Sequence, residues 1–210
     1  MAKENYQLWL DREIAEIKKN QVMPRLLLHS CCAPCSSYVM EYLSHWFELT
    51  IYYFNPNITE EAEYRHRVAE QKRLIQTMQF EHPVHFLEGE YHPEDFFAMA
   101  RGMESLPEGG ERCFACYLMR LKNTAEQAKT GGFDYFTTTL SVSPYKNAEK
   151  LNEIGQRLGE KTGVRYLCSD FKKRNGYKRS IELSQQYNLY RQNYCGCIFS
   201  RIQADEKIND

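Results

Sequence analysis

Residues Leu26–Tyr38 read LLLHSCCAPCSSY, and the rest of the chain is organised around them. A short apolar run ends at His29-Ser30. Cys31, Cys32 and Cys35 follow within five residues, and small polar residues then open a helix. This is the pattern of a buried strand that delivers thiols to a helix start. Exposed backbone N–H groups and the positive end of the helix dipole favour thiolate over thiol there. Pro34 suits a first helical turn, where its missing N–H costs nothing. Thiolates gathered at the carboxyl end of a strand can hold a metal or run redox chemistry.

Working outward, Trp9–Lys19 spaces Leu10, Ile14 and Ile17 as an amphipathic helix before the main domain. Arg25–His29 is the first strand and Ser36–Trp46 the helix after it. Leu49–Phe54 is a second strand, stopped by Asn55-Pro56-Asn57. Thr59 is expected to N-cap a helix that runs to about Met78, its first turn carrying Glu60, Glu61 and Glu63. Val84–Leu87 is a third strand, and His92-Pro93 starts another helix. Arg112–Lys129 is a helix ended by Gly131-Gly132. Asp134–Leu140 is a fourth strand, Ala148–Glu160 a helix closed by Gly163, and Val164–Leu167 a fifth strand; the remainder is mostly helical. Alternating strands and helices predict an α/β fold with a doubly wound, parallel, five-stranded sheet. Its active site belongs beyond the strands' carboxyl ends, where HSCCAPC, NPN, SVSPYKN and CSDFKKR all fall. No repeat or linker divides the chain. It reads as one domain, 1–210, with 1–21 as a helical extension and 25–200 as the core.

The net charge is −1 over 210 residues, with globular hydrophobic content. The charged opening MAKENYQLWLDREIAEIKKNQ has no apolar signal region, and no run approaches bilayer length. These features predict a cytoplasmic protein, in which eight cysteines point to metal or catalysis before disulfides.

Seven of the eight form close sets: Cys31/Cys32/Cys35, Cys113/Cys116 and Cys195/Cys197. The pairs Cys32/Cys35 and Cys113/Cys116 would supply four thiolates, enough for tetrahedral zinc or a [4Fe–4S] cluster. Adjacent Cys31 and Cys32 are expected to diverge and serve two centres. Cys195-Gly196-Cys197 is expected to complete a three-thiolate site with Cys31, or to shuttle between dithiol and a strained disulfide. Structural zinc is the rival reading. Cys168 stands alone and fits a buried small side chain.

SVSPYKN places Ser143, Tyr145, Lys146 and Asn147 at a helix N-terminus. The arrangement suits an anionic or polar ligand, or else an ordinary cap by Ser141 or Ser143 with Lys146 in solvent. Phe171–Arg179 interleaves aromatics with basic residues, a pattern for phosphates and base stacking or for a solvated surface. His29 lies near the thiols and could relay a proton, or be a satisfied strand-end histidine.

HSCCAPC, FNPNI with EYRHR, RCFACYLMRL, TTTLSVSPYKN, DFKKRNGYKRS and LYRQNYCGC occur in that order between about Arg25 and Ser200. Together they resemble the QueH-type, cobalamin-independent epoxyqueuosine reductases. The resemblance implies a fold similar to PP-loop and related nucleotide α-hydrolase domains. HSCCAPC replaces the glycine-rich pyrophosphate signature of those enzymes, so neither ATP nor cobalamin is expected. It implies reduction of epoxyqueuosine to queuosine at the wobble position of tRNA, with electrons from a donor such as a ferredoxin or flavodoxin. It places a [4Fe–4S] cluster on Cys31, Cys32, Cys113 and Cys116, in conflict with the spacing argument for Cys35. Cys195 and Cys197 match a redox-active or iron-binding C-x-C, which leaves room for one additional iron shared with Cys31 or Cys32. His29, Tyr145 and Asp170 are the expected proton donors, and Lys172, Lys173, Arg174 and Arg191 the expected tRNA contacts. Two rivals stay open: an ATP-dependent iron–sulfur tRNA thiolase-like enzyme, and a zinc-stabilised RNA-binding module without catalysis.

Overall fold

The computed structural model describes residues 4–209, with side chains through 205. Five strands, β1 (Arg25–His29), β2 (Glu48–Tyr53), β3 (Val84–Glu88), β4 (Tyr135–Thr138) and β5 (Arg165–Tyr166), form one sheet in the order β3-β2-β1-β4-β5. Every pairing is parallel. The helices are α1 (Tyr6–Asn20), α2 (Ala33–Leu43), α3 (Glu61–Thr77), α4 (Pro93–Ala100), α5 (Glu111–Thr130), α6 (Ala148–Thr162), α7 (Gly176–Gln186) and α8 (Ile198–Asn209).

β1 is apolar throughout its middle because both its faces are covered. Leu26 and Leu28 join a core with Leu10, Ile14 and Ile17 of α1 and Val39, Met40 and Leu43 of α2. Leu27 faces the other way, against Leu121 and Ala125 of α5 and Leu151 and Ile154 of α6. Helices therefore pack on both sides of the sheet, the doubly wound arrangement expected. The order reverses between β1 and β4, whose carboxyl ends frame the switch point.

Several boundaries differ from expectation, each for a local reason. α2 begins at Ala33 rather than Ser36, because Cys32 is an extended cap (φ −172°) and Pro34 occupies the first turn. Glu60, not Thr59, precedes α3, and the Thr59 N–H is used instead on the Gly196 carbonyl at 3.3 Å. β4 stops at Thr138, whose Oγ1 accepts from Leu140 N at 3.2 Å and starts a 3-10 turn over Thr139–Val142. Asn147 caps α6, its Oδ1 accepting from Lys150 N at 3.0 Å, in place of Ser141 or Ser143. Gly163 closes α6 with φ +79°, as its position suggested. The C-terminal third is less helical than expected, with irregular chain between β5 and α7 and between α7 and α8.

Candidate metal and redox site

The first thiol group forms where β1 hands over to α2. Cys31 N donates to Thr139 Oγ1 at 3.3 Å, and the Cys31 sulfur lies 3.4 Å from the same hydroxyl, so the ends of β1 and β4 are tied together. Cys35 sits in the first turn of α2. The sulfurs of Cys31, Cys32 and Cys35 all lie within 4.8 Å of one another, and those of Cys31 and Cys32 are 3.8 Å apart. The expected divergence of Cys31 and Cys32 is thus corrected. The backbone turns from strand to cap between them and points both thiols into one cleft. Their crowding makes them unequal. Hydrogen bonds from Cys31 and Cys35 hold the Cys32 thiol well below its ordinary range, while hydrogen bonds with Cys31 and Cys32 push Cys35 up.

A second group lies at the start of α5. Cys113 and Cys116 occupy its first two turns, and Cys195 and Cys197 approach from the loop before α8. Gly196 between them has φ +120°, and a Cβ there would stand 2.9 Å from Ile58 and 3.2 Å from Arg67. Only glycine fits this close approach. These four cysteines line a small pocket of about 20 Å³ with Asn57, Arg112, Tyr117 and Arg120. Cys195 also lines an open cleft of about 350 Å³ that holds Cys31, Cys32 and Cys35. Among the described residues, neither four-thiol set read from the sequence is drawn within 4.8 Å; the gathered group is Cys31, Cys32 and Cys35. All eight cysteines are free. Burial pushes the Cys116 thiol up to about 12.

Buried cations surround both groups. Arg120, 1% exposed, donates from Nη2 to Asn55 Oδ1 at 2.5 Å and from Nε to His29 Nε2 at 3.3 Å. Burial works against its charge, and the Cys116, Cys195 and Cys31 sulfurs restore it. Arg112 donates from Nη1 to the carbonyls of Met103, Glu104 and Leu106. Arg67 pairs with Glu63 at 2.7 Å and reaches the Cys195 carbonyl at 3.2 Å. Six buried side-chain atoms lack hydrogen-bond partners among the described residues: Tyr53 Oη, Asn57 Oδ1, Arg67 Nη2, Arg112 Nη2, Tyr117 Oη and Gln192 Oε1. Each belongs to a residue that lines a thiol cavity or feels a nearby thiol's charge. Four of the six, on Tyr53, Arg67, Arg112 and Tyr117, are donors, and orphaned donors around clustered sulfurs fit an anionic, thiolate-bound group, so the site passes that test.

The sequence missed these arginines. A signal was present: Arg112, Cys116 and Arg120 recur every four residues on α5, on the stripe that continues through buried Thr124 and Ala128.

The remaining expected residues scatter. His29 is fully buried, its Nδ1 2.8 Å from Thr138 Oγ1 and its Nε2 against Arg120. Burial, then Arg120, lowers its pKa to about 3, which favours the satisfied strand-end histidine over the proton relay. Ser143, Tyr145, Lys146 and Arg191 line the thiol cleft. Asp170, Asn147, Lys172 and Lys173 line a neighbouring cavity of about 840 Å³, which Tyr145 and Lys146 share. Asp170 is ion-paired to Lys172 at 2.5 Å. Arg174 pairs with Asp11, and Arg179 grips Glu41 through two bonds of 2.7 and 2.9 Å. Those two arginines fasten the segment to the body instead of facing the cleft. Cys168 is buried alone at the β5 edge, as expected.

Fold and site together define an α/β domain whose switch-point cleft can take up a metal ion or cluster and present it to a ligand. The family model described as Epoxyqueuosine reductase QueH matches residues 26–203. A relative of that name in Staphylococcus epidermidis is 42% identical, over 95% of this chain and 85% of its own length. One in Haemophilus influenzae is 41% identical, over 84% and 71% respectively. One in Thermotoga maritima is 32% identical, over 88% and 94%. The chain belongs to the epoxyqueuosine reductase QueH family, which is a family of oxidoreductases.

Proposed function

We propose that this chain reduces epoxyqueuosine to queuosine at the wobble position of tRNA, the last step of queuosine synthesis. The observation that carries the reading is the thiol-lined cleft at the switch point, beside a second thiol pocket lined by the buried Arg112 and Arg120. Its volume of about 350 Å³ falls in the ordinary range for a small-ligand site, roughly 300–1,000 Å³, and suits one extruded nucleoside.

The seven clustered cysteines would hold a [4Fe–4S] cluster and one additional iron, with Cys31, Cys32, Cys35, Cys113 and Cys116 toward the cluster. Cys195 and Cys197 would serve the second centre. Such a group supplies electrons one at a time at a low potential. The chain's own residues do the rest. Arg67, Arg112 and Arg120 offset the negative charge of the thiolates in a dry interior, where charges are felt strongly. His29 stays neutral and fixes Arg120. Tyr145, 78% exposed at the rim, offers a ring face for stacking a base. Lys172 and Lys173 flank the adjoining cavity, where they would meet the phosphate backbone.

No described helix is long and apolar enough to cross a membrane. A tRNA substrate puts the chain, on this reading, in the cytoplasm with a small one-electron donor of the ferredoxin or flavodoxin class. The test is turnover: chain reconstituted anaerobically with iron and sulfide, a chemical reductant, and an anticodon stem-loop carrying epoxyqueuosine. Nucleoside digests should lose one oxygen from the modified base. No conversion by fully loaded chain sinks the reading.

A further inference from the structure

Removing the epoxide oxygen requires a proton at that oxygen, and the donors expected from the sequence are poorly placed. His29 has both ring nitrogens engaged and no exposure. Asp170 is held by Lys172 and lines the neighbouring cavity. Tyr145 stands in water at the rim.

Lys146 is placed differently. It belongs to an irregular loop between the 3-10 turn and α6, yet its side chain is only 8% exposed because it turns inward. Nζ donates to Glu108 Oε1 at 2.9 Å. The larger cleft and the small thiol pocket share three lining residues, Lys146, Glu108 and Cys195. The ammonium therefore stands at the junction of the space that admits a nucleoside and the space that holds the second thiol group. We infer that Lys146 is the catalytic acid of the reduction, its Nζ donating to the epoxide oxygen while Glu108 positions it. This rests on the reductase reading above.

The balance is as follows. The epoxide takes up two electrons, from the one-electron donor, and two protons. One C–O bond breaks, and its oxygen, developing as an alkoxide, takes a proton from Nζ. The electron pair left on the neighbouring carbon forms a C=C bond as the second C–O bond breaks. The oxygen departs as water once a second proton arrives. Lys146 is recharged through Glu108, whose side chain is 35% exposed and so touches solvent. Burial opposes the charge on Lys146, while Cys195, Tyr117 and Glu108 outweigh it and keep the amine protonated. An alkoxide is a stronger base than an amine, so transfer becomes favourable only as the C–O bond opens.

Lys146→Met, Lys146→Arg and Glu108→Gln are compared with the parent chain at matched iron and sulfide content, in steady-state turnover of the epoxyqueuosine stem-loop with excess chemical reductant. Loss of a general acid costs about 10²–10⁴ in rate. Lys146→Met should lose at least about 100-fold in kcat with KM, stem-loop binding and visible spectrum within about threefold. Lys146→Arg keeps the charge and should lose less. Glu108→Gln, which removes the carboxylate facing the buried Nζ, should move the alkaline limb of the pH–rate profile to lower pH. A kcat for Lys146→Met within threefold of the parent, or a loss confined to KM, overturns the proposal and makes Lys146 a binding residue. An unmoved alkaline limb in Glu108→Gln overturns the positioning role. A parent chain that binds the stem-loop and is fully loaded yet does not reduce it defeats the reductase reading itself, a different result from any of these.

Discussion

Acidification of the metal-free, thiol-reduced chain tests the buried His29 directly. In the fold its Nδ1 lies 2.8 Å from Thr138 Oγ1, and its Nε2 accepts from Arg120 Nε at 3.3 Å. Nε2 also lies 3.2 Å from the Phe54 carbonyl, so both ring nitrogens are engaged inside the fold. Burial, followed by the Arg120 charge, depresses its pKa to about 3, against about 6.5 in an unfolded chain. Between those values the unfolded state binds more protons, so stability rises with pH. The contribution of the neutral ring is complete above about pH 6.5 and falls as pH drops toward 3. One unit below 6.5 it has lost about 1.4 kcal/mol. Other groups titrate too, so the comparison is between the parent and His29→Gln. Urea unfolding at pH 7.5 should show His29→Gln destabilised, and at pH 5.5 that penalty should be smaller by about 1.4 kcal/mol. A penalty that stays constant, or grows in acid, refutes the reasoning. Growth in acid would mark an imidazolium stabilised by the fold, as a proton-donating His29 requires.

Gly176→Ala would put a Cβ 1.9 Å from the Phe171 carbonyl oxygen and 2.4 Å from the Tyr38 ring, so denaturation should show a loss of about 3 kcal/mol. A loss under about 1 kcal/mol would mean that α7 can shift freely on α2. Arg120→Met should retain less iron after anaerobic reconstitution and desalting, with Arg120→Lys retaining more. Full retention by the Met variant contradicts the counter-charge role. Lys173→Ala should lower the salt slope of stem-loop binding by about 1, and Lys172→Ala by less, because Lys172 is paired with Asp170. Arg174→Ala should leave that slope nearly unchanged, because Arg174 is already paired with Asp11. Equal losses at all three positions would return Arg174 to the RNA surface.

The sheet was legible because β1 and β2 are apolar runs of strand length and the helices between them carry ordinary start and stop signals. Thus the placement of HSCCAPC beyond a strand end followed from local pattern alone. The fine shape of the site did not. Whether Cys31 and Cys32 converge depends on the extended backbone at Cys32, which a cysteine does not announce. Arg67 and Arg120 lie on long helices rich in charge, where basic residues ordinarily face water; only the α5 stripe betrays one of them. The FKKRNGYKR segment looked uniformly basic, yet its partners Asp11 and Glu41 come from remote stretches. Spacing gives ligand types readily and pairing across the chain poorly.

The central claim is that these thiols hold an iron–sulfur redox centre at the switch point, and counting iron, sulfide and zinc per chain after anaerobic purification tests it most directly. The account predicts brown protein absorbing broadly near roughly 400 nm, about four sulfides, and iron exceeding sulfide by about one. Colourless protein holding zinc alone, after oxygen has been rigorously excluded, would contradict it and leave the cysteines as scaffolding.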